Sequence, residues 1–223
     1  MRATEGYTDS IAGERRRMLP LYSMVTATEP LPAEVWAQIG LAERETFGDG
    51  RRVVIYGQRT LDDRLVFGGR AGYYYGSRRR RTIPANDPNV ARVKQVVRSL
   101  LPMLADFRIT HGWGGLMGVP RHWRPCVHWN AAARTGWAGG YVGEGVAASN
   151  LAGRIMADLV TGTQSSIAEL PWVNDEARRW EPEPLRWLGA KAIEAFGDRA
   201  DRAEFRTGKP AGMWGTLFDR FAG

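Results

Sequence analysis

The sequence predicts an α+β fold, a large mixed or antiparallel sheet with helices flanking it. Three observations lead there. β-Rich segments recur before residue 120, a valine- and leucine-spaced helical pattern runs over 89–104, and a second apolar-periodic helix follows a glycine cluster at 136–145. The sequence shows no internal repeat.

Leu21–Thr28 alternates and is rich in β-formers, so it reads as a strand. Ala33–Ile39 reads as a short helix, begun by Pro32 and stopped by Gly40. Arg52–Arg59 and Arg64–Gly69 are two strands joined by the turn-forming Thr60-Leu-Asp-Asp63. Asn89–Leu104 places Val90, Val93, Val97, Leu100 and Leu104 on one face of a helix introduced by Asp87-Pro88. Phe107–Gly112 and Leu116–Val119 are expected as further strands. Beyond Pro171 the texture changes: Trp180-Glu-Pro-Glu-Pro184 punctuates the chain, and Leu185–Phe196 reads as a last amphipathic helix. The end is expected as an exposed tail, docked only by Trp214, Leu217 and Phe218.

Composition narrows the function classes. The 223 residues are ample for a core, and nine tryptophans argue against disorder. No apolar run approaches the ~20 residues that cross a membrane, and the first residues lack a signal-peptide core. Cys126 is the only cysteine, which excludes an intramolecular disulfide and suits a reducing, cytoplasmic compartment. His111, His122 and His128 are too few and too weakly patterned for a metal site, so none is expected. Thirty-one Lys and Arg against 24 Asp and Glu make the chain basic. The Arg78-Arg-Arg-Arg81 run reads as a solvated loop rather than a nucleic-acid patch.

The richest segment is Gly136-Trp-Ala-Gly-Gly-Tyr-Val-Gly-Glu-Gly145, followed by a helix through Val160. Glycines let a backbone approach a ligand closely, and the first helical N–H groups, at the positive end of the helix dipole, favour negative charge. Gly143-Glu-Gly145-Val-Ala-Ala148 even spells a dinucleotide fingerprint. That literal reading fails, because Thr161–Pro171 holds no second strand ending in an acidic residue. Gly136–Val142 is also too glycine-rich for a confident buried strand. A glycine-lined helix start without a ligand remains the alternative on pattern alone.

Other pieces take their place in order: Arg2-Ala-Thr-Glu-Gly-Tyr-Thr8, Thr28-Glu-Pro-Leu31, Tyr56-Gly-Gln-Arg-Thr60, Leu65-Val-Phe-Gly-Gly-Arg70, Thr110-His-Gly-Trp-Gly-Gly115 and Trp180-Glu-Pro-Glu-Pro-Leu-Arg-Trp187. With the glycine segment they resemble the C-terminal half of FAD-dependent oxidoreductases of the D-amino-acid oxidase superfamily. Within it, the likeness is to enzymes of the gamma-glutamylputrescine oxidoreductase type. The resemblance implies a remnant of the FAD-binding domain at 1–20, a substrate-binding domain at 21–135, a flavin-contacting segment at 136–162 and a C-terminal helix and tail at 163–223. Family members carry their pyrophosphate-binding G-x-G-x-x-G in an N-terminal βαβ unit, which this sequence does not show. Two expectations therefore stand side by side: FAD-dependent oxidation of an amine or amino acid, or a non-catalytic remnant or subunit needing a second chain with the FAD-binding half.

The resemblance also implies site residues. Gly139, Gly140, Tyr141, Val142, Gly143, Glu144 and Gly145 would meet the flavin's pyrimidine edge through main-chain groups. Trp113 and Gly114 would pass near its ring, and Ala3 and Thr4 would belong to the turn closing the FAD domain, with Glu5 inserted in its usual wording. His111 is the candidate acid or base, beside a reading as an ordinary loop or core histidine. Arg70, Tyr73, Tyr74 and Tyr75 are candidate substrate contacts; Arg121 either binds an acidic substrate group or sits in solvent. Arg124-Pro-Cys-Val127 does not match the cysteine motif that tethers flavin in sarcosine oxidases, so no covalent link is expected.

Overall fold

A computed structural model describes residues 1–80, 83 and 87–222, apart from the side chains of Arg70 and Ala71. Arg81, the end of the arginine run, lies outside the described residues.

Strands β1 (Leu19–Thr28), β2 (Thr46–Phe47), β3 (Ile55–Arg59), β4 (Leu65–Ala71) and β5 (Ile109–Val119) form an antiparallel sheet in the order β2-β3-β4-β1-β5. Alternation along β1 decides what each face does. Tyr22 and Met24 point to one face, where they meet Leu65 and Phe67 of β4, Trp36 of α1 (Ala33–Ile39) and Val90, Val93 and Val97 of α2 (Pro88–Leu100). These side chains are nearly all lost to solvent, and burial of each large one is worth roughly 1.5–3 kcal/mol.

Helix α2 starts where the sequence predicts, with the Asp87 carboxylate accepting from the Asn89 N–H at 2.9 Å. It stops at Leu100, four residues early, because Pro102 disfavours helical backbone at Leu101; Pro102–Leu104 becomes a 3-10 turn. The two strands expected at 107–119 are one. Glycines 112, 114 and 115 read as a break, yet the ladder to β1 continues through them. A Cβ at Gly114 would collide with Met24 Sδ and stand 2.7 Å from Ile83 Cδ1, so close packing explains that glycine.

A second sheet is a hairpin of β6 (Cys126–Asn130) and β7 (Thr135–Gly139). β7 corrects the expectation that the glycines of 136–142 disfavour a buried strand: four of its five residues are buried. Its glycines are required, since a Cβ at Gly136 would stand 2.9 Å from the Trp129 ring. The hairpin packs on α3 (Gly145–Thr161) through Val127, Ala138, Ala152, Ile155 and Met156. Arg2 adds a parallel bridge to Trp137, with its N–H on Gly136 O at 2.8 Å.

Helix α4 (Leu185–Thr207) outruns the predicted end at Phe196. Gly197 interrupts the apolar pattern, but it is the crossing point of a further helix: a Cβ there would press on the Phe218 ring at 3.1 Å. That helix, α5 (Met213–Ala222), replaces the expected tail. Trp214 stacks on Phe196 with centroids 6.0 Å apart and Phe218 lies against Gly197, so these two of the residues predicted to dock do so, within a helix. Trp180 is buried and its indole N–H donates to Val119 O at 2.7 Å, tying the C-terminal segment to the end of β5.

Candidate functional site

The other face of the five-stranded sheet is open over much of its area. Register puts Val25 beside Trp113 and Ser23 beside Gly115, and Val25 also faces Gly68 of β4. Trp113 is 45% exposed and Tyr56 40%. The Tyr56 ring lies flat over Gly68, where a Cβ would collide with it, and its hydroxyl meets Ser23 Oγ at 2.9 Å. Gly115 has nothing within 4 Å of where a Cβ would stand. The result is a flat floor of backbone, one indole and a hydroxyl pair.

One end of this face is closed. Leu19 and Leu21 pack there with Trp180, Trp123 and Val142. Val142 belongs to the glycine turn, which wraps the end of β5. A Cβ at Gly140 would stand 2.8 Å from Pro120 Cγ, and one at Gly143 would be 4.0 Å from Met117 Sδ. Positive φ values of 77° at Gly140 and 107° at Gly143 make the bend, and Val142 takes 51° without being glycine. Helix α3 then begins with no side-chain cap from Glu144, and Val146 in its first turn is 96% exposed. An uncapped first turn opening to solvent leaves N–H groups without intrahelical partners, at the positive end of a 17-residue helix.

Glu5 stands behind the turn. Its Oε1 accepts from Tyr141 N at 3.2 Å and its Oε2 from Gly118 N at 2.9 Å, with the Gly140 N–H contributing as well. Burial pushes this carboxyl above the ordinary value, and the three backbone N–H groups offset part of that rise. The donors of Gly140 and Tyr141, expected at a ligand, are therefore committed to Glu5. The Glu144 N–H is likewise engaged, on Tyr141 O at 3.0 Å, so the donors left at the start of α3 are those of its uncapped first turn from Gly145. Gly139 is buried behind them.

The remaining predicted residues divide clearly. Trp113 lies on the open face, about 13 Å along β5 from Met117 at strand rise. Gly114 points into the opposite, packed face. His111 is exposed, roughly 20 Å along the strand from Met117, with Nδ1 2.9 Å from Thr110 Oγ1. The structure thus separates it from the glycine turn. Ala3 and Thr4 follow Arg2 away from the β7 edge, with Thr4 Oγ1 2.8 Å from Thr8 Oγ1.

Tyr73 and Tyr74, the candidate substrate contacts, have their hydroxyls engaged within the fold. The Tyr73 hydroxyl donates to Glu183 at 2.5 Å and its pKa is pushed up to about 12, first by burial and then by that carboxylate. The Tyr74 hydroxyl donates to Asp87 at 2.9 Å. Tyr75 is exposed, edge-on to Trp187. Arg121 pairs with Glu181 at 3.4 Å and lies over the Trp180 ring. The Arg70 side chain lies outside the described residues. Burial pushes the Cys126 thiol up to about 12, which keeps it protonated and inert. The sequence reading missed Glu5, Ser23 and Tyr56. Only the alternation of β1 and β3 carried a signal for the last two.

Comparison with known proteins assigns this architecture. The family described as FAD dependent oxidoreductase, DAO, matches residues 2–159. The chain belongs to this family. It is 31% identical over 153 residues to the probable oxidoreductase OrdL of Rhizobium meliloti, covering 67% of the chain and 32% of that protein. It is 29% identical over 195 residues to the gamma-glutamylputrescine oxidoreductase of Escherichia coli, covering 82% and 41%. The chain therefore spans roughly a third to two fifths of the length of these curated relatives. A modified fructosyl peptide oxidase from Aspergillus nidulans superposes with a TM-score of 0.61 at 14% identity, over 81% of this chain and 47% of that one. At that identity the likeness speaks for the fold.

Because the family is FAD-dependent, FAD is the cofactor expected for this chain. The residues present suit one part of it. A planar ring fits the floor at Gly115, where no side chain stands within 4 Å, and an electron-rich ring edge fits the uncapped start of α3. Among the described residues no cluster of three metal-ligating side chains occurs, and no helix is long and apolar enough to cross a membrane.

Proposed function

We propose that this chain supplies the substrate-side wall and the pyrimidine-edge donors for FAD-dependent oxidation of an amine or amino acid. The carrying observation is the meeting of the open sheet face with the uncapped start of α3 at Gly143. The gamma-glutamylputrescine oxidoreductase among its relatives bears a name of this chemistry, which supports the substrate class.

FAD, when bound, supplies the hydride acceptor. Main-chain donors at Gly143, Gly145 and the first turn of α3 would stabilise negative charge developing at the pyrimidine edge. Being fixed beforehand, they would do so without reorganising. Trp113 would exclude water from the floor. The Ser23–Tyr56 hydroxyl pair would orient a polar group of the substrate, since either oxygen can donate. A strong base is not required if the amine binds neutral, so the remoteness of His111 does not weigh against the reading. Ala3 and Thr4 would contribute backbone from the far side.

The test is the visible absorption spectrum of the full chain after FAD is added and the unbound excess removed. A retained flavin band, followed by its bleaching with an amine or amino acid, is the expected result. A second reading is that FAD is held jointly with a separate chain providing the pyrophosphate site. It is favoured by the fraction of the curated relatives that this chain covers. A colourless chain that gains the band only with such a partner would select it, and no band under either condition would overturn both.

A further inference from the structure

We propose that Glu5 is the positioning residue of this site: its carboxylate holds the glycine turn against β5 and so sets where α3 presents its outward donors. The proposal rests on the reading of that turn as flavin-facing.

Four observations converge. The two carboxylate oxygens bind two different elements, Gly118 of β5 at 2.9 Å and Tyr141 of the turn at 3.2 Å. Two accepting oxygens are the pattern of an ionised carboxylate. Gly118 is fitted to the carboxylate, since a Cβ there would collide with Oε2, while a Cβ at Gly139 would only touch Oε1 at 3.4 Å. Glu5 itself has φ 43°, a conformation L-residues avoid, and such backbone persists where its contacts over-determine it. Finally, its stabilising partners are the main-chain N–H groups of Tyr141, Gly118 and Gly140, with no cation among them. A charge held solely by main-chain dipoles depends on their placement, and they depend on it in turn.

The geometry gives this carboxylate a leverage that a capping residue lacks. Glu5 begins the N-terminal 3-10 segment Glu5–Ser10, which packs on β5, with Gly6 against Leu116 and Met117. Arg2, three residues earlier, is bridged to β7, the strand leading into the turn. One side chain thus joins the turn to the sheet, while the backbone three residues earlier holds the strand before the turn. Movement of Tyr141 away from Gly118 would swing Gly143 relative to Met117, where the turn meets the open face.

Wild-type full chain, Glu5→Gln and Glu5→Ala would be compared in two measurements. The first is amide hydrogen exchange at Gly118, Gly140 and Tyr141, with the Val93–Val97 amides of α2 as internal reference. The second is the FAD dissociation constant and the position of the bound flavin's visible band. Glu5→Ala should raise exchange at the three amides at least tenfold relative to α2, weaken FAD binding at least tenfold and shift the band. Glu5→Gln should fall between, because its amide nitrogen puts a donor where an acceptor is needed. Unchanged exchange in Glu5→Ala would overturn the proposal. So would raised exchange with FAD affinity and band unmoved, which would mark Glu5 as a structural pin only. If the wild type takes up no FAD, alone or with a partner chain, the flavin reading falls and this proposal falls with it. Variants that keep the wild-type FAD affinity and band, beside a wild type that binds flavin, would overturn this proposal alone.

Discussion

The two faces of the five-stranded sheet are built from the same strands and treat alternate residues in opposite ways. On one, Phe67 is fully buried under α1 and α2; on the other, Trp113 keeps 45% of its surface exposed. Aromatic residues on a packed face are held by burial. An indole and a phenol left on an open face, over glycines that keep the floor flat, contribute little to folding and are available to something else. Stability and function are thus separated by the period-2 pleat.

The largest expected effect is on the packed face. Phe67→Ala should cost roughly 3–5 kcal/mol in denaturant unfolding, because the surroundings close only partly over the space left. Should Trp113→Ala prove equally costly, the contrast between the faces would break. Next comes the turn. Gly140→Ala forces a side chain into a left-handed position, 2.8 Å from Pro120 Cγ, at a cost of about 1–3 kcal/mol. The same substitution should weaken flavin retention, which Phe67→Ala should affect only through unfolding.

Trp113→Ala should change stability by less than about 1 kcal/mol, in the range of surface substitutions, while reducing FAD or amine binding severalfold. Equilibrium unfolding and flavin titration on the same preparation would read both. A smaller effect is tied to pH. Burial raises the Glu5 carboxyl above its ordinary 4.5, so the folded chain holds a proton that the unfolded chain has released. The stability linked to that proton is present below the ordinary value and is lost as pH rises through the raised one. Wild-type stability relative to Glu5→Gln should therefore decline across that window. An increase would show that the backbone N–H groups outweigh burial.

Much of the packed face was legible because its rules are local. Alternation marked β1, a turn-forming Thr60–Asp63 marked β3 and β4, and a valine period with an Asp-Pro start marked α2. The pieces that escaped depend on distant partners. Gly114 reads as a strand breaker until Met24 is seen to fill its place, and Gly197 as a stop until Phe218 crosses it. Tyr73 and Tyr74 look like pocket residues in a Gly-Arg-Ala-Gly-Tyr-Tyr-Tyr run. The Tyr73 hydroxyl is nevertheless claimed by Glu183, 110 residues away. The glycine turn was conspicuous, but which of its donors face outward was set by Glu5, 136 residues before Tyr141. Motif chemistry is local, whereas the commitment of each donor is a tertiary fact.

The finest division of the two faces is at Tyr56. Its ring covers Gly68 whether or not it carries a hydroxyl, so Tyr56→Phe keeps the packing and removes only the bond to Ser23 at 2.9 Å. That bond is exposed and water replaces either partner, so the net change in stability should be about 0–1 kcal/mol. If the hydroxyl pair orients a substrate, Tyr56→Phe should raise KM for the amine or amino acid while leaving FAD retention and the flavin band unchanged. Trp113→Ala would then alter FAD or amine binding with stability nearly intact, and Tyr56→Phe the substrate alone. A fall in FAD retention for Tyr56→Phe would instead place the cofactor over Tyr56 and move the substrate towards His111.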